Sequence, residues 1–216
     1  VKAGIEITFL SDVPAAGSGL GSSSTVTVGV LNALYQHQGM PVTAEQLAQH
    51  ACDIEINILG KPIGVQDQYI ASYGGINFIE FTQSGEVKVE PLGLSEEYLN
   101  DLKSYLMVFF TGKTRQAIAV LKEQQANISK KNGILLEMAD QARLGKKLLK
   151  LGKISALGRL LDEGWKLKKQ LASRISDTEI DAIYAAAKKA GAIGGKISGA
   201  GGGGFMTLFV PTNKRE

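Results

Sequence analysis

Hydrophobic and polar positions along the chain change period several times. Residues 5–10, Ile-Glu-Ile-Thr-Phe-Leu, alternate at period two and predict a strand. Over 22–35 the period becomes helical, with Val26, Val30, Leu31 and Leu34 on one face. A second helix opens at Thr43, which with Glu45 and Gln46 fits a capping box, and runs to about Leu59. Gly60-Lys61-Pro62 ends it. A short helix is expected over 64–73, closed by Gly74-Gly75, and 76–81 with 87–92 reads as a hairpin about Ser84-Gly85. An apolar strand at 105–110 precedes helices over 114–127, 131–151, 153–172 and 177–190, and strands at 193–197 and 205–210 complete the pattern. No internal repeat is visible. A mixed first half and a helix-rich, strand-bracketed second half predict an α+β protein of two lobes, 1–95 and 96–216.

Composition narrows the class. The 216 residues are 44% hydrophobic and 21% charged, which fits a globular chain and not a disordered one. No run approaches the ~18 apolar residues of a membrane helix, and these residues show no leader pattern of basic, then apolar, then small positions. Cys52 is the single cysteine, so no internal disulfide forms and a cytoplasmic setting is expected. A net charge of +3 is too small to argue for nucleic acid. That charge is uneven, because residues 143–174 carry ten Lys or Arg against only Asp162 and Glu163. Such a run is ordinarily a solvated helix face. Its alternative is a field that draws an anionic ligand. The chain opens at Val1 inside a strand pattern, which reads as a portion of a longer protein.

Candidate chemistry lies in the glycines. Eleven of the 26 fall in two short stretches, near 17–21 and 191–204. The first stretch is Pro14-Ala15-Ala16-Gly17-Ser18-Gly19-Leu20-Gly21-Ser22-Ser23-Ser24, between a predicted strand and a predicted helix. Glycines let successive N–H groups converge, and a helix N-terminus adds unpaired donors and positive dipole, together an anion site suited to nucleotide phosphates. It is not a Walker A loop, since no lysine follows Gly21, and it lacks the third glycine of a Rossmann fingerprint. The second stretch, Ser198-Gly199-Ala200-Gly201-Gly202-Gly203-Gly204, has the letters of GxGxxG but is followed by a strand pattern. A dinucleotide fingerprint must open a helix. Four consecutive glycines between strands instead let a backbone or a ligand approach closely. A third constellation joins Glu55 to Gly64-Val65-Gln66-Asp67-Gln68-Tyr69. Each carboxylate alone reads as a helix-surface residue. Beside a phosphate loop, the pair offers a metal ligand and a group to orient a nucleophile.

Taken together, the three segments resemble the GHMP small-molecule kinases. Pro14 to Ser24 is similar to that family's ATP-phosphate signature, Lys196 to Gly204 to its C-terminal signature, and Gly64 to Gly75 to the segment holding its catalytic aspartate. The resemblance implies a ribosomal-S5-like N-terminal lobe and a ferredoxin-like C-terminal lobe. It implies that Pro14, Gly17, Ser18, Gly19, Leu20, Gly21, Ser22 and Ser23 bind ATP, that Ser23 and Glu55 hold Mg²⁺, and that Asp67 is the catalytic base or orients the sugar hydroxyl. Gly199, Ala200, Gly201 and Gly202 would shape the transfer site. Residues 69–75, 111–115, 163–169 and 191–196 resemble the bacterial D-glycero-D-manno-heptose 7-phosphate kinases, which phosphorylate the anomeric oxygen of a phosphorylated sugar for surface polysaccharide. A phosphorylated substrate calls for cationic partners, and Arg115, Lys168, Lys169 and Lys196 are the candidates. Trp165 reads as core. The family's first signature, a sugar loop, would lie before Val1. A fucose- or galactose-type kinase and a non-catalytic sugar or nucleotide sensor remain rival expectations, with a homodimer left open and neither nucleic acid nor membrane as a partner.

Overall fold

A computed structural model describes residues 4–13, 18–114 and 117–215. Pro14, Gly17 and Arg115 of the expected site lie outside them.

The first helix, α1 (Ser22–His37), starts at Gly21, whose φ of +70° turns the chain into it. Its buried residues are Ser24 and Val28. The apolar period had placed Val26 inward, but Val26 is 45% exposed. The face is decided by α2 (Ala44–Cys52), whose Leu47 and Ala51 meet Val28, with Leu31 and Tyr35 alongside. Thr43 caps α2 in the expected reciprocal way with Gln46. The expected continuation to Leu59 takes a different form. At Cys52 the helix widens into π-helical turns over Asp53–Ile58, with Leu59 N–H donating to Ile54 O at 2.9 Å. Such bulges recur at functional sites because the inserted residue re-aims its neighbours.

Helix α3 (Gln66–Tyr73) ends at Gly74, and β1 (Asn77–Phe81) pairs antiparallel with β2 (Val87–Pro91). Helix α4 (Glu96–Tyr105) is absent from the sequence reading. Its signal is the Ser95-Glu96-Glu97 start, where Ser95 accepts from Tyr98 N–H and two acids face the positive helix end. A three-stranded antiparallel sheet follows in the order β3 (Leu106–Phe110), β5 (Phe205–Phe209), β4 (Gly194–Ile197). Between β3 and β4 run α5 (Ala117–Asn127), α6 (Asn132–Lys150), α7 (Ile154–Lys169) and α8 (Thr178–Ala190). The main core gathers Trp165, Ile175, Ile180, Tyr184, Ile197, Met206 and Leu208, which confirms Trp165 as a packing residue. Tyr98, Leu102, Ile154 and Phe209 form another core, joined by Ile76 from beside the hairpin.

The expected strand at 5–10 is not formed. Ile5, Ile7, Phe9 and Leu10 are exposed, and β1 and β2 pair only with each other. An alternating apolar segment becomes a strand only when a neighbour supplies its ladder, and no described strand does.

Candidate active site

The first glycine loop and the last meet backbone to backbone. A methyl on Gly19 would lie 2.4 Å from Ser198 O, and one on Gly199 would lie 2.7 Å from Gly19 Cα. Both residues have positive φ, so each position excludes a side chain twice over. Phe205 N–H donates to Ser18 O at 3.1 Å and secures the contact. The rest of the second loop is also packed on backbone: Gly202 N–H donates to Ile175 O at 2.7 Å and Gly204 N–H to Lys113 O at 2.7 Å. Ala200 packs against the main core. The close approach expected for four consecutive glycines is thus made by other segments of the same chain.

This packing brings the N-terminus of α1 to the seam. Among the described residues no side chain caps it and no acid stands in its first turn, so its positive end is not neutralised there. Buried Ser18 stiffens the approach, with its Oγ 2.9 Å from Ser22 Oγ and accepting from Leu20 N–H at 3.3 Å. Gly21 abuts Asp67, since a methyl there would lie 3.4 Å from the Asp67 carboxyl carbon. Asp67, in the first turn of α3, is therefore held beside the loop. Burial raises its pKa, the Glu55 charge adds to the rise, and Lys196 opposes it, leaving the carboxyl above the ordinary aspartate range.

Glu55 is fully buried, re-aimed by the π turns. Ser23 Oγ–H donates to Oε1 at 2.7 Å, Lys61 Nζ to Oε1 at 2.7 Å, and Gln68 Nε2 to Oε2 at 2.7 Å. Burial alone would raise its pKa, but hydrogen bonds from Lys61, Ser24, Ser23 and Gln68 outweigh it and hold the carboxylate below its usual range. Burial, and then the Glu55 charge, push the Cys52 thiol up to about 11, so Cys52 is no nucleophile at neutral pH.

Lys61 is the site residue that sequence reasoning missed. Its Nζ also donates to Ser23 Oγ at 2.7 Å. The only sequence signal was its place in the glycine turn between the two carboxylates. The Ser23 hydroxyl and Glu55 carboxylate, 2.7 Å apart, form an all-oxygen pair of the kind Mg²⁺ takes when it keeps waters and phosphate oxygens as its other ligands. Among the described residues no group of three or more acidic, His or Cys side chains is placed to hold a metal ion.

The second lobe contributes two lysines. Lys196 projects from β4, and its charge reaches both Asp67 and Lys168. Lys168, in the last turn of α7, donates from Nζ to Gly199 O. Burial, and then the Lys196 charge, pull the Lys168 ammonium down to about 7. Lys169 points elsewhere, pairing with Asp181 at 2.9 Å and lying over the Trp165 ring. The structure therefore brings together Ser18, Gly19, Leu20, Gly21, Ser22, Ser23, Glu55, Asp67, Lys168, Lys196 and Gly199. Gly201 and Gly202 turn toward Ile175.

Residues 1–75 match the GHMP kinases N terminal domain and residues 146–216 the GHMP kinases C terminal domain. The chain belongs to the GHMP kinase family. The D-glycero-alpha-D-manno-heptose 7-phosphate kinase of Campylobacter jejuni is 35% identical over 95% of this chain and 61% of its own length. A mevalonate kinase of Pyrococcus horikoshii is 30% identical over 100% of this chain and 62% of its own length. A solved D-glycero-D-manno-heptose 1-phosphate kinase from Bacteroides thetaiotaomicron superposes with a TM-score of 0.68 at 31% identity, covering 93% of this chain and 55% of that one. The α+β expectation and the GHMP kinase fold stand. The chain spans between 55% and 62% of the length of these relatives.

Proposed function

We propose that this chain carries the ATP- and Mg²⁺-dependent phosphoryl-transfer site of a sugar kinase. Its acceptor is the anomeric hydroxyl of a phosphorylated heptose, with D-glycero-D-manno-heptose 7-phosphate converted to the 1,7-bisphosphate. A cytoplasmic setting and a role in supplying nucleotide-activated heptose for surface polysaccharide belong to the same reading. The observation that carries it is the seam itself: an uncapped helix N-terminus with Asp67 against its loop and Lys196 reaching the same carboxylate from the other lobe.

Phosphoryl transfer is catalysed mainly by positioning and by charge stabilisation. The backbone over 18–23 and the dipole of α1 would bind the triphosphate. Ser23 and Glu55 would hold Mg²⁺, which when bound neutralises phosphate charge. Asp67 would orient the acceptor hydroxyl and take its proton, a task helped by a carboxylate more basic than usual. Lys196 balances Asp67, and with Lys168 offers cations to the transferred or the acceptor phosphate. The protein would then divide functionally at residues 95 and 96.

The resemblance to heptose-phosphate kinases supports a phosphorylated sugar as the acceptor. The 32% identity to the L-fucokinase/L-fucose-1-P guanylyltransferase of Bacteroides fragilis keeps an unphosphorylated sugar as the second reading. Asp67→Asn should lower kcat by three orders of magnitude or more while nucleotide binding persists, because it removes the proton acceptor at nearly constant shape. An ATP-coupled assay over phosphorylated and free sugars checks both points. Undiminished turnover removes Asp67 from the chemistry, and turnover of free sugars alone selects the second reading.

A further inference from the structure

The Ser23–Glu55 pair already has a cation. Lys61 Nζ stands 2.7 Å from Ser23 Oγ and 2.7 Å from Glu55 Oε1, and those two oxygens are 2.7 Å from each other. The ammonium thus closes a triangle on these two oxygens. The other carboxylate oxygen is engaged separately by Gln68. A fully buried carboxylate needs a counter-charge, and Lys61 supplies it from a backbone fixed to the same residue, through Lys61 N–H donating to Glu55 O at 3.0 Å. The Lys61 side chain is 34% exposed while Glu55 is at 0%. The ammonium therefore has an open path to solvent, and the carboxylate has none.

We propose that Lys61 is a built-in counter-ion that fills the Ser23–Glu55 pair in the resting protein and competes with a divalent cation for it. The inference rests on the metal reading given above for Ser23 and Glu55. A divalent ion bound to both oxygens would sit in contact with the ammonium, and repulsion between the two cations forces one out. Lys61 is the mobile one. Because Ser23 lies in the first turn of α1, the displaced ammonium is freed where nucleotide phosphates would arrive, and it exchanges a carboxylate partner for a phosphate. Metal entry without nucleotide is thereby disfavoured, and entry together with nucleotide is not.

Mn²⁺ alone, titrated into nucleotide-free protein and followed by electron paramagnetic resonance, tests this. Lys61→Met should bind Mn²⁺ about tenfold more tightly than the natural chain or better, since the competing cation is gone. The same variant should melt lower than the natural chain in EDTA and regain the difference with Mn²⁺. Lys61→Gln, which keeps a hydrogen bond to Glu55 without the charge, should show the same tightening and carries the test if Lys61→Met does not fold. Unchanged or weaker Mn²⁺ binding in the neutral variants overturns the inference. Glu55→Gln separates the two levels. If it abolishes Mn²⁺ binding while the Lys61 variants change nothing, only the competition fails. If Mn²⁺ binding ignores Glu55→Gln, or is undetectable in every variant, the metal reading fails with it.

Discussion

Lys168 shows what a single position reports. In the unfolded chain its ammonium holds its proton to about pH 10, whereas in the fold burial and then Lys196 bring it down to about 7. Between those values the unfolded state binds more protons, so this residue's contribution to stability rises with pH across that window and is least favourable below pH 7. Lys168→Met should raise Tm at pH 6 relative to the natural chain, with the advantage shrinking by pH 9. Calorimetry at the two values checks it, and a pH-independent difference sinks the argument. The sequence marked Lys168 and Lys169 alike as members of a basic run. Their neighbours separate them, since one reaches Gly199 O and the other pairs with Asp181.

At the level of elements, the helices of the second half were legible within a few residues because their apolar period is local and survives in the fold. Two features were not legible. The π turns arise where α2 meets α3 and Glu55 must turn inward, and no local pattern encodes that. The seat of α7 on β4 depends on glycines that face one another from distant parts of the chain. A methyl on Gly194 would lie 2.0 Å from Gly158 O and 2.9 Å from Asp162 N, both backbone atoms that cannot step aside. Gly194→Ala should therefore cost about 3 kcal/mol or more. Gly164, on the same helix, meets only the flexible Gln141 Oε1 at 3.0 Å. Gly164→Ala should be neutral or gain up to about 1 kcal/mol from helix propensity. Urea unfolding of the two variants checks the contrast, and equal effects would refute it.

Among the described residues the lobes meet at the glycine loops, at the core of Tyr98, Leu102 and Phe209 reached by Ile76, and at Glu90, which pairs with Lys146 and with Lys150 at 2.8 Å. Much of the basic run is thereby neutralised in place, with Lys166 on Asp162 at 2.6 Å and Lys169 on Asp181. Lys168 forms no such pair among the described residues. Because Gly19 and Gly199 are in backbone contact, ordering one loop should order the other. A non-hydrolysable ATP analogue should slow amide exchange over 18–25 and over 198–204 together, read by mass spectrometry. Protection confined to 18–25 would show that the contact does not couple them.

The sequence by itself determined the α+β class, the helical order of the second half and the glycine-rich loop that leads into α1. Those properties follow from local periodicity, from conformations that only glycine adopts easily, and from residue types the chemistry requires. Tertiary structure decided the rest. It left residues 5–10 without a ladder, turned Val28 inward in place of Val26, and chose Lys168 over Lys169. It also set Lys61 between Ser23 and Glu55. Each outcome depends on which distant atoms supply a hydrogen bond, a packing surface or a counter-charge, and no stretch of sequence contains its own neighbours.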